Sequence, residues 1–478
     1  MFDSRLHDHW DPPQTRSSRM LVEAMVAAGR EENRAAARRL AAVGELFEMR
    51  RAQRGEAADW AVDTWAAVGA EVAAALRVSL GRAGSFISYG LAMRDLPRVA
   101  AVFAAGEIDM SMFSTVVYRT ELVTDDAARA RVDQTLAGAI AGWPSMSRGK
   151  LTREIDRIVN AVDPDAVRRA SEQTRDRDVT IWHNADGTAD LSGRLLGADA
   201  HALDVRLDAL AAGVCADDPR TKAQRRADAL GALAAGADRL SCRCEGGHCP
   251  ALAGPRPSAG VVIHVVAEQS SIEGRTDKPA LLLGANTLIS AGALRELAGR
   301  TRLRPVSAPG EAEPRYRPSA ALADFVRARD VTCRAPGCDR PATVCDLDHT
   351  VPYAEDGCTH ASNLKCLCRF HHLLKTFWGW ADRQLPDGTV IWTVPDGQTY
   401  TTTPGSASLF PALSVPTPPP PRRRVARGDT ARRSRTAKMP PRRTARATNL
   451  ARRITTERNR NRAQRERSGI TVSDDPPF

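Results

Sequence analysis

The 478-residue sequence predicts a mainly α fold with α+β elements, and three observations lead to that class. Apolar residues recur at helical spacing through the N-terminal part. A cysteine- and histidine-rich segment, Cys333 to Lys375, has metal-binding spacing. A tail rich in proline and arginine follows it. At this length two domains and a tail are natural. We place them at residues 15–300, 315–400 and 411–478.

The N-terminal domain is predicted to be helix-rich because its apolar residues form stripes on single helix faces. We interpret these stripes as core, and Ser147 is placed to cap the last helix. The stripes are Leu40, Val43 and Phe47; Trp65, Val68, Val72 and Leu76; Val132, Leu136 and Ile140; and Leu151, Ile155, Ile158 and Val159.

From Asp178 onward the pattern changes to mixed short elements. Alternating residues on both sides of the turn at residues 184–187 predict a β-hairpin. The predicted elements are strands Val179 to His183 and Ala189 to Leu195, a helix through Leu203, Leu207 and Leu210, a strand Val261 to Val266, and a helix Ala291 to Leu297 with Ser290 as its cap.

A first cysteine cluster lies within this mixed region. Cys242, Cys244, His248 and Cys249 are candidate ligands for a second structural metal. His248 and Cys249 are adjacent, however, and adjacent side chains rarely bind one ion together. The sequence therefore leaves open whether a fourth ligand comes from elsewhere or is absent.

The second cluster has paired spacing on both sides. Cys333 and Cys338 form one pair, and Cys368 and His371 form the other, about 30 residues later. Such pairs suit a closed tetrahedral zinc site, and the Pro336-Gly337 turn brings the first two sulfurs together. Three further thiols could each replace one of the four ligands: Cys345, Cys358 and Cys366.

Inside this frame lie Asp348-His349, Asn363 and His372, with gaps of 14 and 9 residues after His349. With the surrounding words LDHTVPYAEDG, SNL and LCRFHHLLK, this pattern resembles the HNH endonuclease family. Many zinc-bearing members end in two cysteines and a histidine. Here His371 stands at the second cysteine, so the resemblance implies a zinc site of three cysteines and one histidine.

The resemblance also implies a fold and an activity. Two antiparallel strands, Val344 to Leu347 leading into Asp348-His349 and Thr359 to Leu364, would precede a helix from Leu367 to Phe377. His349 would be the general base of DNA phosphodiester hydrolysis, on a loop edge with little packing. Asp348 and His372 would hold Mg²⁺ or Mn²⁺. Asn363 would orient either the His349 ring or the loop that carries it.

Elements on either side of this unit extend the module. Ser319 can cap a helix from Ala320 to Arg329 that leads into Cys333. After the unit, the segment from Phe377 to Trp380 and residues 389–394 read as strands around a turn at residues 386–388. Trp378 and Trp380 could stack on bases, but we favour a role in the core.

The N-terminal region has a resemblance of its own. The words EVAAALRVS at Glu71 and DLPRVAAVFAAGEID at Asp95 are similar to the domain of unknown function that precedes HNH modules in bacterial 13E12-repeat proteins. The resemblance covers roughly residues 15–400. It implies a two-part arrangement but no mechanism for the first part.

The net charge of +11 lies entirely in the tail. Residues 422–467 hold 18 Lys or Arg against 3 Asp or Glu, a net of +15, so the rest of the chain carries −4. A segment so poor in apolar residues is predicted to be disordered, and its charge to act as an arm on DNA phosphates.

Composition indicates the cellular compartment in which we expect the protein. No run of 18 apolar residues and no signal segment is present, so we expect a soluble, cytoplasmic protein without a membrane partner. Nine of ten cysteines fall in the two clusters, which fits metal binding in a reducing compartment. Two alternatives to the endonuclease stay open: a nucleic-acid-binding protein that keeps the HNH shell without cleaving, and a helical interaction scaffold.

Overall fold

The computed structural model describes residues 16–144, 146–168, 177–184, 187–244, 249, 264–284, 287–299, 303–307, 310–418 and 438–467. The helices are α1 (Arg16–Arg54), α2 (Thr64–Leu76), α3 (Leu80–Asp95), α4 (Pro97–Ala104), α5 (Met110–Thr120), α6 (Asp126–Ile140), α7 (Arg148–Val162), α8 (Gly197–Ala212), α9 (Lys222–Ala234), α10 (Gln269–Ile272), α11 (Ala291–Ala298), α12 (Ala320–Asp330), α13 (Arg369–Phe377) and α14 (Arg446–Arg467). None of them is both long and apolar enough to span a bilayer.

Within the described residues, the strands form four small antiparallel sheets. They are β1 (Asp178–His183) with β2 (Ala189–Arg194); β3 (Val265–Val266), β4 (Ala280–Leu282) and β5 (Thr287–Ile289); β6 (Asp346–His349) with β7 (Leu364–Leu367); and β8 (Ala381–Gln384), β9 (Val390–Thr393) and β10 (Thr399–Thr402).

Helices α1 to α7 form a bundle, and the predicted stripes lie in its core. Among the stripe residues, Leu76 is an exception, with 36% of its surface exposed, and Trp65 is partly buried. Ser147 caps α7 as predicted, accepting a hydrogen bond from the Lys150 amide. The helix-rich prediction is therefore confirmed for this region.

Helix α2 contributes to two cores at once. Val68 and Val72 pack into the bundle, whereas Ala67 and Ala70 pack into the core of the C-terminal module, residues 315–418. Alanine is small enough to let that module approach the helix backbone closely. The two predicted domains therefore share α2 and are not separate bodies joined by a linker.

Residues 178–299 form a second unit within the predicted domain at 15–300. The pair α8–α9 has a small apolar cluster of its own, and so does the sheet β3–β5 with α11, whereas both strands of the hairpin β1–β2 are almost wholly exposed. Ser290 caps α11 as predicted. The strand predicted at residues 261–266 is limited to β3, and residues 261–263 lie outside the described part of the chain.

The C-terminal module contains a hairpin, β6–β7, followed directly by α13. His349 pairs with Leu364 and Asp346 with Leu367 across the hairpin. The predicted strand boundaries were wrong by several residues, because residues 342–344 and 361–363 form 3-10 turns instead. Trp378, Trp380 and Trp392 are buried in the module core, which confirms the core interpretation of the tryptophans.

The prediction that residues 411–478 are disordered is wrong for residues 411–418, where Pro411–Ser414 form a 3-10 turn and the Thr417 amide donates to Pro386 O at 3.1 Å, and it is wrong for residues 438–467. The Ala61 amide donates to Pro440 O at 2.8 Å, and α14 then lies along the bundle with Ile454 against its core. Six arginines of this segment bind carboxylates that the tail's own composition could not reveal. The pairs are Arg442 and Arg446 with Asp63, Arg453 with Glu121, Arg458 with Asp163, and Arg462 and Arg465 with Asp165.

Candidate functional site

The structure brings Cys333, Cys338, Cys368 and His371 together at the start of α13. Their ligand atoms all lie within 4.8 Å of one another. His371 Nδ1 is 3.6 Å from Cys333 Sγ and 3.3 Å from Cys368 Sγ. A sulfur and a nitrogen on one tetrahedral zinc, at bond lengths of about 2.3 and 2.0 Å, are roughly 3.5 Å apart. The group can therefore hold a metal ion such as zinc.

Local backbone geometry brings these ligands close to one another. Gly337 has φ +69°, a left-handed conformation that favours glycine, and the Cys338 amide donates to Ala335 O at 3.2 Å. Cys368 is the N-cap residue of α13, so His371 follows within the first helical turn. The ligands thus sit on a tight turn and a helix start, which both hold their geometry well.

The three additional thiols have other surroundings. Cys345 Sγ lies 3.3 Å from Pro341 O, and Cys366 Sγ lies 3.9 Å from Val326 O. Cys358 is also buried. Among the described residues, none of the three belongs to a group that could hold a metal.

His349 lies at the end of β6 with 6% of its surface exposed. Its ring stacks on Tyr316, with centroids 5.3 Å apart and an interplanar angle of 14°. Its Nε2 is 3.0 Å from Thr359 Oγ1, and that hydroxyl also contacts Arg315 O. A carbonyl can only accept, so the hydroxyl proton goes to Arg315 O. Nε2 must then be the protonated nitrogen, which leaves Nδ1 as the acceptor.

The pKa of His349 is lowered to about 4, chiefly because burial deprives the imidazolium of its hydration. Asp348 opposes this lowering, and the nearby Lys365 and Lys375 contribute to it. The ring is therefore neutral at physiological pH, which is the state that a proton acceptor requires.

Asp348 lies against two lysines that the sequence analysis did not anticipate. Lys365 Nζ and Lys375 Nζ each donate to Asp348 Oδ2 at 2.7 Å, and both also pair with the buried Asp382. Burial alone would raise the pKa of Asp348, but the two ammonium groups outweigh burial and lower it. The carboxylate is thus ionised, and its Oδ1 faces His372.

His372 is oriented by a second carboxylate. Its Nε2 lies 3.4 Å from Asp348 Oδ1, while its Nδ1 lies 2.9 Å from Asp346 Oδ2. An Nδ1–H that donates to Asp346 leaves the Nε2 lone pair directed at Asp348. Asp346 was not among the predicted site residues, although its position two residues before Asp348 puts both on one face of a strand.

Asn363 contacts the loop that follows His349. Its Oδ1 accepts from the Val351 amide at 2.8 Å, and its Nδ2 donates to Val351 O at 3.1 Å and to Cys358 O at 2.9 Å. These bonds tie both ends of the loop together. Of the two roles that the resemblance implied, these contacts correspond to holding the loop.

The structure also assembles a second cysteine group. Cys215, Cys242, Cys244 and Cys249 have their sulfurs within 4.8 Å of one another, so this group too can hold a metal ion such as zinc. Cys215 was missed because it lies 27 residues before Cys242 and has no neighbouring ligand in sequence. The candidate His248 lies outside the described residues.

Comparison with known proteins places the N-terminal region in a family. A family model described as "Domain of unknown function (DUF222)" matches residues 27–330, from within α1 to the end of α12, and ends before Cys333. No solved structure matches the chain.

Proteins that are similar over almost the whole of this chain occur in Mycobacterium tuberculosis. The uncharacterized protein Rv3776 is 46% identical over 503 residues, which cover 98% of this chain and 93% of the relative. The uncharacterized protein Rv2100 is 46% identical over 486 residues, covering 93% of this chain and 88% of the relative. Their names state no activity.

Proposed function

The chain belongs to the DUF222 family, and from this membership and the geometry of the C-terminal module we propose that it is a metal-dependent HNH-type endonuclease that hydrolyses phosphodiester bonds in DNA. The order of its parts agrees with the 13E12-repeat arrangement noted in the sequence. The observation that carries the proposal is the convergence of a neutral His349, an ionised Asp348 and an oriented His372 on one hairpin-helix unit.

Each residue of the site has its own role in the proposed reaction. Nδ1 of His349 accepts the proton of the attacking water, since Nε2 is held by Thr359. Asn363 fixes the loop beside this ring. Tyr316 stacks on the ring and restricts its rotation. Each of these contacts limits the movement of the base before substrate arrives, which lowers the entropic cost of reaching the reactive geometry.

Asp348 Oδ1 and His372 Nε2 suit a divalent cation such as Mg²⁺ or Mn²⁺. They are an oxygen and an imidazole nitrogen 3.4 Å apart, and such cations complete their coordination with water and phosphate oxygens. When bound there, the cation would stabilise negative charge on the phosphate and on the departing oxygen.

A test of the proposal uses the purified full-length protein and supercoiled plasmid DNA. We expect nicked or linear product with Mg²⁺ or Mn²⁺ and none with EDTA. A catalytically inactive mutant measured in parallel excludes a contaminating nuclease. Absence of cleavage with every divalent cation tested would contradict the proposal.

One observation favours the non-cleaving alternative. Lys365 and Lys375 already neutralise Asp348 Oδ2, which weakens the need for a cation at this carboxylate. In that case the protein would bind DNA equally well with and without divalent cation and would not cut it. A DNA-binding titration in EDTA and in Mg²⁺, run beside the cleavage assay, separates the two functions.

Thr359 provides a prediction about positioning. Thr359→Val removes the hydroxyl that accepts from His349 Nε2, so the imidazole can adopt the other tautomer, with its proton on Nδ1. We expect kcat to fall by at least about tenfold, with little change in KM. This fall in kcat is a small fraction of the 10²–10⁴-fold rate contribution that a general base supplies. Thr359→Ser keeps the hydroxyl and should recover most of kcat. Equal loss in both variants would indicate a packing defect instead.

The tail provides a prediction about DNA binding. Most arginines of residues 438–467 are engaged by carboxylates, but Arg443, just before α14, and Arg452, within it, are exposed and form no ion pair within the described part of the chain. The double variant Arg443→Ala, Arg452→Ala should lower the slope of log affinity against log salt by about two. Its thermal stability should not change.

The matched control neutralises two arginines that are already paired. Arg462→Ala with Arg465→Ala removes both partners of Asp165 and should loosen α14, which lowers thermal stability. Its salt slope should change less than that of the exposed pair. If the exposed pair leaves the slope unchanged, the tail is not the DNA-binding surface.

A further inference from the structure

We propose that Cys215, Cys242, Cys244 and Cys249 bind a second zinc ion, separate from the C-terminal one, and that this ion holds the pair α8–α9 together. The inference does not depend on the endonuclease proposal. It concerns a different part of the chain, and its readout is metal content and folding.

The geometry of the four sulfurs suits a tetrahedral zinc ion. All lie within 4.8 Å of one another, and Cys215 Sγ is 3.4 Å from Cys242 Sγ. Sulfurs on one tetrahedral zinc, with bonds of about 2.3 Å, are roughly 3.8 Å apart. None of the four cysteines forms a disulfide. A set of four thiolates selects zinc over magnesium or calcium, which prefer oxygen ligands.

A polar network fixes the two segments that carry these sulfurs. The Arg220 guanidinium donates to Asp218 Oδ2 at 2.7 Å, to Asp228 Oδ2 at 2.6 Å and to Ser241 O at 2.8 Å. The Arg243 amide donates to the same Asp218 Oδ2 at 3.0 Å. Asp218 is fully buried at its side chain. Residues 215–218 are therefore held beside residues 241–243 by bonds that do not involve the cysteines.

The apolar core between α8 and α9 is small. Among the described residues, the cluster between α8 and α9 has only Leu210, Ala229 and Leu240 as buried members. Small units with so few buried side chains usually need a metal or disulfides to be stable. Cys215 lies three residues after α8, and Cys242, Cys244 and Cys249 follow α9 by 8 to 15 residues, so one ion would connect the segments that leave the two helices.

The test is elemental analysis of the full-length protein after exhaustive dialysis. We expect two zinc equivalents per chain, one for each cysteine group. Cys215→Ser should lose the zinc of its own group and retain one equivalent. Cys333→Ser should lose the C-terminal zinc and also retain one equivalent. Cys345→Ser, which removes a thiol outside both groups, should retain two.

His248→Ala distinguishes the two candidate fourth ligands. If Cys215 is the ligand, the His248 variant keeps two equivalents. Two zinc equivalents in Cys215→Ser would overturn the assignment of Cys215. Loss of one zinc in His248→Ala at the same time would identify His248 as the ligand instead. A wild-type protein with a single equivalent, removed entirely by Cys333→Ser, would overturn the site itself.

A second measurement remains valid if Cys215→Ser fails to fold. Zinc in the wild-type protein is replaced by Co²⁺, and the visible spectrum is followed during the titration. Two tetrahedral thiolate-rich sites should appear, one of which has only sulfur ligands. Limited proteolysis of the wild-type protein with and without chelator should show new cleavage between α8 and α9 when metal is removed. Unchanged cleavage there would contradict the structural role.

Discussion

Replacing His349 is expected to lower the rate of DNA cleavage by about 10²–10⁴-fold, the contribution that a general base usually makes. The reason is that Nδ1 of the neutral ring is the acceptor directed away from the Thr359 contact. The measurement is the single-turnover rate on plasmid DNA at saturating Mg²⁺. A variant with the wild-type rate would refute the assignment of His349.

The choice of variant follows from the structure. Sequence alone predicted a base on a loop edge with little packing, but this prediction is wrong. His349 ends a strand, is 6% exposed and stacks on Tyr316. Alanine would leave a cavity and cost stability. His349→Gln preserves much of the volume but cannot accept a proton as imidazole does, so it is the better variant, with thermal unfolding and zinc content as controls.

His372→Ala offers a contrast within the same site. It removes a predicted cation ligand rather than the base, and it also leaves Asp346 without its imidazole partner. Raised Mn²⁺ concentration should therefore restore part of its activity by mass action. The same Mn²⁺ concentration should not restore His349→Gln. Equal rescue of both variants would argue against the division of roles proposed for these histidines.

Replacing Cys333 with serine is expected to unfold the C-terminal module. Apparent binding free energies of structural zinc in zinc-finger peptides are about 10–16 kcal/mol, and binding is coupled to folding. Cys333, Cys368 and His371 are all buried, so the metal would sit inside the module core. Fluorescence of the buried tryptophans, among them Trp380 at 6.2 Å from His371, should shift to that of exposed indole.

The loss should extend beyond the module, because α2 packs into both cores. The thermal unfolding curve of Cys333→Ser should therefore show a destabilised N-terminal bundle as well. Cys345→Ser is the matched control, since it removes a buried thiol of the same module outside the metal group. Full retention of zinc and of the native fluorescence in Cys333→Ser would contradict the ligand assignment.

What could be predicted from the sequence was local along the chain. The stripes of α1, α2, α6 and α7 and the caps Ser147, Ser290 and Ser319 depend on residues within a few positions of one another. The group Cys333, Cys338, Cys368 and His371 was also predictable, because each half of it lies on one turn or one helix start. Strand boundaries in the hairpin were less accurate, since short strands and 3-10 turns have similar local patterns.

Contacts between distant segments were decided only by the tertiary structure. Cys215 joins a group 27 residues away through the Asp218 and Arg220 network, and no local spacing indicates it. Lys365 and Lys375 converge on Asp348 because β7 and α13 both pack beside β6. Thr359 determines the tautomer of His349 only through the carbonyl of Arg315, 44 residues earlier.

The tail shows the same division most clearly. Its sequence determined that it has a large positive charge and few apolar residues, and such composition alone cannot drive folding. Helix α14 forms because Asp63, Glu121, Asp163 and Asp165 on the bundle neutralise its arginines and Ile454 packs on the bundle core. The charge was thus determined locally, whereas its partners were determined by the folding of a bundle some 300 residues earlier in the chain.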